Sequence, residues 1–361
     1  MNILAFESSC DETACAVVSA EDGLFSIKSN IIASQVDVHR LYGGVVPEIA
    51  SRAHTEAISR ITYEALDAAG VTLRDIALVA VTANPGLIGA LLVGVSFAKA
   101  LAIRYGIPLV AVDHIKGHIA SAYLKEGRAP TAPQIALVVS GGHTAIYRVN
   151  SLNEVKVIGT TRDDAIGEAF DKIGRIIGIP YPAGAGFDAL AREGFIKTVG
   201  EGDGYFKRFK RSEVYKSPAL TLPSPALRDG TLDFSFSGLK TAAINLIHRY
   251  EMRGDELPRA EFAARYTYEA VEAVYTKLKE ALSLEENADC EMILAGGVGA
   301  NSHLRQRLSE LAVEMKRKFT VADRSLCGDN AAMIAVAGFY EYERGNIQDA
   351  ALNASALDGI V

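Results

Sequence analysis

The chain has 361 residues, of which 49% are hydrophobic and 22% are charged, and its net charge at pH 7 is −7. With roughly 150 residues per domain as a guide, this length predicts two domains with a substantial buried core. The composition excludes a collagen, a coiled coil and a disordered chain. The acidic balance argues against a nucleic-acid binder held by a basic body, but it leaves room for a local basic patch.

The sequence predicts a soluble, cytoplasmic protein. Its four cysteines are too few and too scattered for the disulfide framework of a small secreted domain. The apolar residues Ile3–Phe6 follow Met1 without a basic segment, so we expect no signal peptide. The uncharged stretch Ile76–Ala98 is long enough to span a bilayer, but Asn84-Pro85-Gly86 marks a turn inside it. We therefore expect a strand and a buried helix there, and no membrane span.

The first part of the chain predicts a three-stranded meander followed by helices that alternate with strands. The meander consists of Asn2–Phe6, Ala14–Ser19 and Leu24–Ala33, and the polar turn Glu7–Thr13 joins its first two strands. The elements that follow are a helix over Pro47–Ala69, a strand over Ile76–Thr82, a helix over Gly89–Tyr105, a strand over Pro108–Asp113 and a helix from about His114.

The second part opens in the same way. Its predicted strands are Gln134–Val139, Thr144–Val149 and about Val155–Thr160, and the turn Ser140–His143 joins the first two. The elements that follow are helices near Ala165–Ile177 and Pro258–Leu284, a strand over Glu291–Ala295, a helix over Ala300–Glu314, a strand near Phe319–Ala322 and a helix over Asp329–Tyr342.

This repetition predicts an α/β fold with two similar lobes, whose sheets are covered by helices. We expect the first lobe to span residues 1–130, completed by a C-terminal helix at about 325–345, and the second lobe to span residues 131–324. Residues 200–233 form a predicted insertion rich in glycine, proline and charge, which carries the basic run Lys207–Arg211. Residues 346–361 are small and polar, and they predict a weakly ordered tail.

Two histidines have the spacing of metal ligands. His114 and His118 lie four residues apart, which places both imidazoles on one face of a helix. The zinc-protease motif is excluded, because Ile115 stands where that motif has its catalytic glutamate. Two partly buried histidines on an amphipathic helix would produce the same spacing. Asp329 is a candidate third ligand, and its position before a helix fits an N-cap equally well.

Polar turns at equivalent points of the two halves indicate a nucleotide cleft between the lobes. Gly141 and Gly142 follow Ser140 and let the backbone approach a phosphate, although a plain hairpin turn has the same pattern. The glycine-rich turn Gly296–Asn301 joins a strand to a helix, which suits either anion binding or close packing. It matches neither the Walker motif nor the dinucleotide fingerprint.

Two further segments place polar groups at helix starts. Asp171, within Gly167–Lys172, and Asp188 each lie early in a predicted helix, where a carboxylate either complements the helix dipole or accepts a ribose hydroxyl. In Asp233–Lys240, aromatic and polar residues alternate before a helix that Ser237 is expected to cap.

Taken together, these motifs resemble the TsaD family of tRNA adenosine threonylcarbamoyltransferases, once labelled O-sialoglycoprotein endopeptidases. The resemblance covers about residues 1–340. It rests on Glu7–Thr13, Pro47–His54, His114–His118, Ser140–Thr144, Gly167–Lys172, Phe234–Lys240, Gly296–Asn301 and Asp329–Ala335.

The resemblance implies an actin-like, sugar-kinase and heat-shock-ATPase fold, with two RNase-H-like lobes around a central cleft. The implied reaction moves a threonylcarbamoyl group from threonylcarbamoyl-adenylate to the exocyclic amine of adenosine at position 37 of tRNAs that read codons beginning with A. AMP is the second product. The implied partners are tRNA, a TsaB-like paralogue and a TsaE-like ATPase, and a separate enzyme makes the adenylate.

The resemblance also implies site residues. The family's metal ligands correspond to His114, His118 and Asp329, with iron as the usual metal and zinc as the alternative. Its adenylate-binding positions correspond to Val138, Val139, Ser140, Gly141, Gly142, Asp171, Gly184, Asp188 and Asn301. The sequence departs from the family pattern at Tyr181–Gly186 and at Gly328–Ala331, and Asp329 is retained. No general base is identified, since Asp11 is a candidate by position only.

Two other classes of protein share the implied fold. A sugar kinase or ATPase would turn over ATP without a metal-binding histidine pair, and a non-catalytic scaffold would lack the metal ligands altogether. The combination of His114, His118 and Asp329 therefore favours the transferase.

Overall fold

A computed structural model of the chain describes residues 1–202, 204–357 and 359–360. Its first sheet is built from the N-terminal strands, with β1 antiparallel to β2 and parallel to β4. The strand order is β11-β5-β4-β1-β2-β3. The elements of this part are β1 (Asn2–Glu7), β2 (Glu12–Glu21), β3 (Leu24–Ser34), α1 (Val36–Arg40), α2 (Pro47–Ala69), β4 (Ile76–Asn84), α3 (Ile88–Tyr105), β5 (Leu109–Asp113) and α4 (His114–Glu126).

The second sheet repeats this pattern in the order β10-β9-β6-β7-β8, with β6 antiparallel to β7 and parallel to β9. The insertion and the helices lie between its strands. The strands and first helices are β6 (Gln134–Val139), β7 (Thr144–Ser151), β8 (Glu154–Thr160), α5 (Ile166–Ile176), α6 (Gly184–Val199), α7 (Tyr205–Arg211) and α8 (Glu213–Lys216). The remaining elements are α9 (Ser237–Arg253), α10 (Arg259–Leu282), β9 (Glu291–Ala295), α11 (Ser302–Met315), β10 (Phe319–Val321), α12 (Ala331–Glu343) and β11 (Ile347–Gln348).

Apolar strands at the centre of each sheet explain where the core lies. Ile3 to Phe6 in β1 and Ile135 to Val139 in β6 are fully buried, because helices cover both faces of each sheet. The C-terminal helix α12 returns to the first sheet and packs against β1, β2, β4 and β5. The predicted order of strands and helices agrees with the observed order, and the helix predicted over Pro47–Ala69 has those bounds in the structure.

Residues 346–361 are the segment that we expected to be a weakly ordered tail, and its described part, 346–357 and 359–360, contacts the first lobe. Strand β11 pairs with β5, and the amide of Ser355 donates to the carbonyl of Ala83 at 2.8 Å. Leu352 and Ala354 pack against the apolar cluster between the first sheet and α2 and α3. These contacts include backbone hydrogen bonds, which the small, polar composition of the segment does not reveal.

Ser237 does not cap α9, contrary to our expectation. The N-cap is Phe236, and the carboxylate of Asp163 accepts the amides of Phe236 (2.8 Å) and Ser237 (3.1 Å). The hydroxyl of Ser237 instead donates to the same carboxylate, at 2.6 Å. A distant aspartate therefore satisfies the helix start, which sequence spacing alone does not reveal.

Helix α3 is the one helix in the described ranges that is long and apolar enough by composition to cross a membrane. It packs against β4 and α2, and one third (33%) of its residues are buried. Ile88, Leu92 and Ile103 are exposed and share one face of the helix by their spacing. Ile88 and Leu92 are one turn apart, whereas Ile103 lies about three turns further along the helix, beyond the half-buried Lys99.

Candidate metal centre and nucleotide cleft

The end of β5 positions the histidine pair. Asp113 is the last residue of β5 and the N-cap of α4, where its Oδ1 accepts the amides of Ile115 (2.9 Å) and Lys116 (3.2 Å). This cap fixes the first turn of α4, so that His114 and His118 lie on one face with their ring centroids 4.5 Å apart.

Asp329 completes a group of three metal-binding side chains. Its Oδ1 lies 3.6 Å from Nε2 of His114 and 3.3 Å from Nε2 of His118. The ligand atoms of the three residues all lie within 4.8 Å of one another. Asn330, not Asp329, caps α12, since its Oδ1 accepts the amide of Met333 at 3.0 Å. Asp329 is therefore not the N-cap of α12.

Glu7 orients the first histidine. Its Oε2 lies 3.0 Å from Nδ1 of His114 and also accepts the hydroxyl of Thr82 at 2.6 Å. The amide of Ser9 donates to the other oxygen at 2.6 Å. A carboxylate at Nδ1 holds a proton there, so that Nε2 faces Asp329 and is the nitrogen available to a metal ion. This carboxylate–histidine arrangement is common behind metal ligands.

The second histidine tests whether a metal fits. His118 is fully buried, its Nδ1 has no hydrogen-bond partner among the described residues, and its Nε2 faces only the Oδ1 of Asp329 at 3.3 Å, without hydrogen-bond geometry. An unpaired buried polar atom is costly unless something outside the chain satisfies it. Two imidazoles and a carboxylate are donors that suit Fe²⁺ or Zn²⁺. The residues present therefore fit a divalent transition metal.

The charges around the three ligands also fit a cation. Burial would lower the pKa of His114, but the carboxylates of Glu7 and Asp329 raise it to about 9. Burial and the charges of Asp329 and Asp11 raise the pKa of Glu12 to about 10. Burial opposes ionisation of Asp329, but His114 outweighs it and holds the pKa of that carboxyl below its usual range. A bound cation would offset this concentration of negative charge.

A cleft of about 910 Å³ opens between the two sheets and contains both the metal ligands and the glycine turn. This volume lies within the range of small-molecule sites. Its lining comes from both lobes and includes Ser9, Cys10, Asp11, Glu12, Gly43, Gly44, Pro85, Gly86, His114, Ser140, Gly141, Gly142, His143, Glu168, Asp171, Lys172, Arg175, Tyr181, Lys240, Gly297, Gly328 and Asp329.

The turn after β6 faces this cleft. The hydroxyl of Ser140 accepts the amide of His143 at 3.1 Å, and the amide of Ser140 donates to the carbonyl of His143 at 2.8 Å. A Cβ atom added at Gly141 or Gly142 would meet nothing within 4 Å. Packing within the chain therefore leaves space above this turn, which a bound molecule could occupy at close range.

The other predicted adenylate positions lie in three places: at the cleft, at the start of α11 and inside β6. Asp171 lines the cleft, and its Oδ1 accepts the amide of Ala183, next to Gly184, at 2.7 Å. Burial raises the pKa of Asp171. Asp188 and Asn301 meet at the start of α11, where they accept the amides of Ser302 (3.0 Å) and Leu304 (2.9 Å). Val138 and Val139 are buried within β6.

The structure thus brings His114, Asp329, Ser140–Gly142 and Asp171 to one cleft. His118 lies behind them, and Gly184, Asp188 and Asn301 lie outside the lining residues. Sequence reasoning did not assign a role to Glu7, although a carboxylate directly after four apolar residues is a signal for one. It also missed the bridges across the cleft mouth, where Arg40 donates to the carbonyl of Tyr181 at 3.1 Å.

The fold and the site define a two-lobed α/β protein of the actin-like and sugar-kinase class, with three potential metal ligands at its cleft. The family model of TsaD, described as tRNA N6-adenosine threonylcarbamoyltransferase, matches residues 26–336. The chain belongs to this family, as the motifs suggested.

Curated relatives and solved structures agree with this assignment. A tRNA N6-adenosine threonylcarbamoyltransferase of Moorella thermoacetica is 45% identical over 98% of this chain and 95% of its own length. The protein of the same name from Geobacillus kaustophilus is also 45% identical, with the same coverage. The crystal structure of HypF from T. kodakarensis aligns with a TM-score of 0.56 and 12% identity over 99% of this chain. This chain spans about half (49%) of that HypF chain, and the likeness concerns the fold alone.

Proposed function

We propose that the chain transfers the threonylcarbamoyl group of threonylcarbamoyl-adenylate to the exocyclic amine of adenosine at position 37 of tRNAs that read codons beginning with A. The carbamoyl carbon exchanges its bond to the phosphate oxygen for a bond to the amine nitrogen, AMP leaves, and the amine releases one proton to solvent. The observation that carries this proposal is the presence of His114, Asp329 and the Ser140 turn in one cleft.

We assign Fe²⁺, with Zn²⁺ as the alternative, to His114, His118 and Asp329. When bound, such an ion supplies Lewis acidity toward a carbonyl oxygen and a fixed point of attachment for the substrate. Glu7 holds the His114 ring and its Nδ1 proton, at 3.0 Å, so that Nε2 stays available. The buried position of His118 keeps water away from the rear of the centre.

The adenylate is held by the second lobe. The amides of the Ser140–Gly142 turn are suited to the phosphate, since a Cβ added at Gly141 or Gly142 would meet no atom of the described residues within 4 Å. Asp171 lines the same cleft and can accept a ribose hydroxyl. We retain Gly184, Asp188 and Asn301 as adenylate positions, at the starts of α6 and α11. Val138 and Val139 support the turn from inside β6.

We propose that tRNA contacts the basic helix α7, because the whole chain is acidic and phosphates need a local source of positive charge. Lys207, Lys210 and Arg211 are exposed on α7, whereas Phe206 and Phe209 on the same helix are buried. The buried aromatic residues anchor the helix and direct its charges outward. Adenosine in an exposed anticodon loop can be unstacked and bound by its edges.

The exposed apolar residues of α3 suggest where a protein partner binds. Contiguous exposed apolar surface on a folded lobe is typical of an interaction site. We propose that a TsaB-like paralogue covers Ile88, Leu92 and Ile103, which are 48%, 41% and 67% exposed. A TsaE-like ATPase and a cytoplasmic location complete the proposal, as the family resemblance implies.

The deciding experiment combines the purified chain, its paralogue and ATPase partners, threonylcarbamoyl-adenylate and unmodified tRNA, and measures threonylcarbamoyladenosine by mass spectrometry. We expect product from the native chain and none from His114→Ala or His118→Ala. Glu48→Gln, on an exposed stretch of α2, serves as the matched control and should retain activity. Near-normal activity in both histidine variants would refute the metal-centre assignment. Absence of product with intact AMP binding would favour a scaffold or an ATPase of the same fold.

A further inference from the structure

The guanidinium of Arg305 donates hydrogen bonds to two backbone carbonyls and one thiol behind the cleft. Its Nε donates to the carbonyl of Gly299. Its Nη2 donates to the carbonyl of Ala322 at 2.6 Å and to the Sγ of Cys327 at 3.0 Å. A planar guanidinium suits this task, since it holds several acceptors in one fixed geometry.

The pieces that Arg305 joins form two walls of the cleft. Gly299 belongs to the turn between β9 and α11, and Gly297 of that turn lines the cleft. Cys327 precedes Gly328 and Asp329, which line the cleft on the side of the histidine pair. The two walls lie close together, since a side-chain carbon added at Gly299 would come within 3.8 Å of the Sγ of Cys327.

We infer that Arg305 is a positioning residue that couples nucleotide binding at the Gly296–Asn301 turn to metal binding at Asp329. The inference rests on the proposed function, which places the adenylate and the metal on these two walls. A ligand that orders one wall also orders the other wall through Arg305. The second ligand then loses less conformational entropy when it binds. The coupling is reciprocal, so the metal strengthens nucleotide binding by the same factor as the nucleotide strengthens metal binding.

A purely structural role makes a different prediction. If Arg305 only stabilised the fold, its replacement would lower the free energy of unfolding and leave the coupling between the two ligands unchanged. Direct attraction between a phosphate and the metal also contributes to coupling, but that attraction is the same in any variant that retains both sites. The difference in coupling between native and variant proteins therefore measures Arg305.

The test titrates Co²⁺ into the full chain, followed by its visible absorbance, with and without saturating AMP. We expect AMP to strengthen Co²⁺ binding by about fivefold or more in the native chain, which is the low end of typical allosteric coupling. Arg305→Lys keeps the positive charge but loses the planar guanidinium. In this variant, AMP should strengthen Co²⁺ binding by less than about twofold. Cys327→Ala removes the contact of Arg305 to the metal-side wall, together with the contact between the Sγ of Cys327 and the carbonyl of Ala322 at 3.6 Å, and it should reduce the factor while the guanidinium stays in place.

Gln306→Ala, at the neighbouring position on α11, is the matched control and should keep the native factor. Equal coupling in the native chain, Arg305→Lys and Cys327→Ala would overturn the role of Arg305, while leaving the proposed function intact. Failure of the native chain to bind Co²⁺ or AMP would overturn the proposed function and this inference together.

Discussion

The carboxylate of Glu7 and the imidazole of His114 are 107 residues apart in the sequence and 3.0 Å apart in the structure. Glu7 ends the central strand of the first sheet, and His114 begins the helix that follows β5. The strand order β5-β4-β1 brings these two ends to one edge of the sheet. Two of the three metal ligands therefore lie on the helix that directly follows β5, whereas Asp329 lies in the turn before α12.

This relationship predicts the effect of Glu7→Gln on metal affinity. Glutamine keeps the size of the side chain but not the charge that holds the Nδ1 proton and raises the basicity of Nε2. We expect Co²⁺ affinity to fall by about 10- to 100-fold, as is usual for loss of such a partner. The exposed Glu48→Gln should leave the affinity unchanged. A Glu7→Gln affinity within twofold of native would contradict the role of Glu7.

Metal removal should destabilise the native protein. A ligand present at about 100 times its dissociation constant stabilises the folded state by about 2.7 kcal/mol. We therefore expect a chelator to lower the Tm of the native chain by several degrees and to leave the Tm of His118→Ala unaffected. Calorimetry with and without chelator measures both effects. An equal response of the two proteins would show that His118 holds no metal.

The metal-free protein should lose stability as the pH rises. Folding raises the pKa of His114 from 6.5 to about 9, so its stabilisation is complete below pH 6.5 and disappears as the pH passes 9. The contribution is roughly 3 kcal/mol at most. Folding also raises the pKa of Glu12 from 4.5 to about 10, which acts in the same direction over a wider range.

Urea unfolding in chelator at several pH values measures this dependence. Glu7→Gln should flatten the fall between pH 6.5 and 9, because it removes the main charge that raises the pKa of His114. Glu12→Gln should remove the separate contribution of that carboxyl. A free energy of unfolding that is level across this interval in the native protein would sink the prediction.

Charge reversal on α7 should weaken tRNA binding. Changing Lys207, Lys210 and Arg211 to glutamate removes the proposed phosphate contacts, and each lost contact should lower the salt slope of the binding constant by about one. Arg208 is left in place, because it donates to the carbonyls of Gly200, Glu201 and Gly202. Filter binding across a salt series provides the slope.

The matched control for α7 reverses three exposed basic residues of the first lobe, Lys28, Arg74 and Arg104. It changes the net charge by the same amount and should retain most of the binding. If both triple variants lose the same affinity, the effect is one of net charge and α7 is not the contact surface.

The apolar face of α3 should be needed for the paralogous partner. Leu92→Glu places a charge beside Ile88 at the start of α3 and should prevent formation of the complex, with AMP binding by the chain unchanged. Val313→Glu is the control, since Val313 is 80% exposed on α11 in the other lobe. Size-exclusion chromatography with light scattering gives the result. A complex that forms normally with Leu92→Glu would place the interface elsewhere.

Much of this protein is determined by the sequence on its own. Alternation and helical periodicity depend on neighbouring residues, so the strands, the helix over Pro47–Ala69 and the repeated meander could be predicted without tertiary information. The spacing of His114 and His118 likewise indicates a shared helix face. The motifs were sufficient to identify the family, which relatives at 45% identity confirm.

Only the tertiary structure decided which of two local roles each polar residue takes. Asp329 fits a helix N-cap in the sequence, but in the structure Asn330 caps α12, which packs against α4, and Asp329 faces the histidines. Glu7 and Arg305 act on residues that are distant in the chain or on separate turns. Such contacts depend on how whole sheets and helices pack together, and that information is not contained in the local pattern of residues.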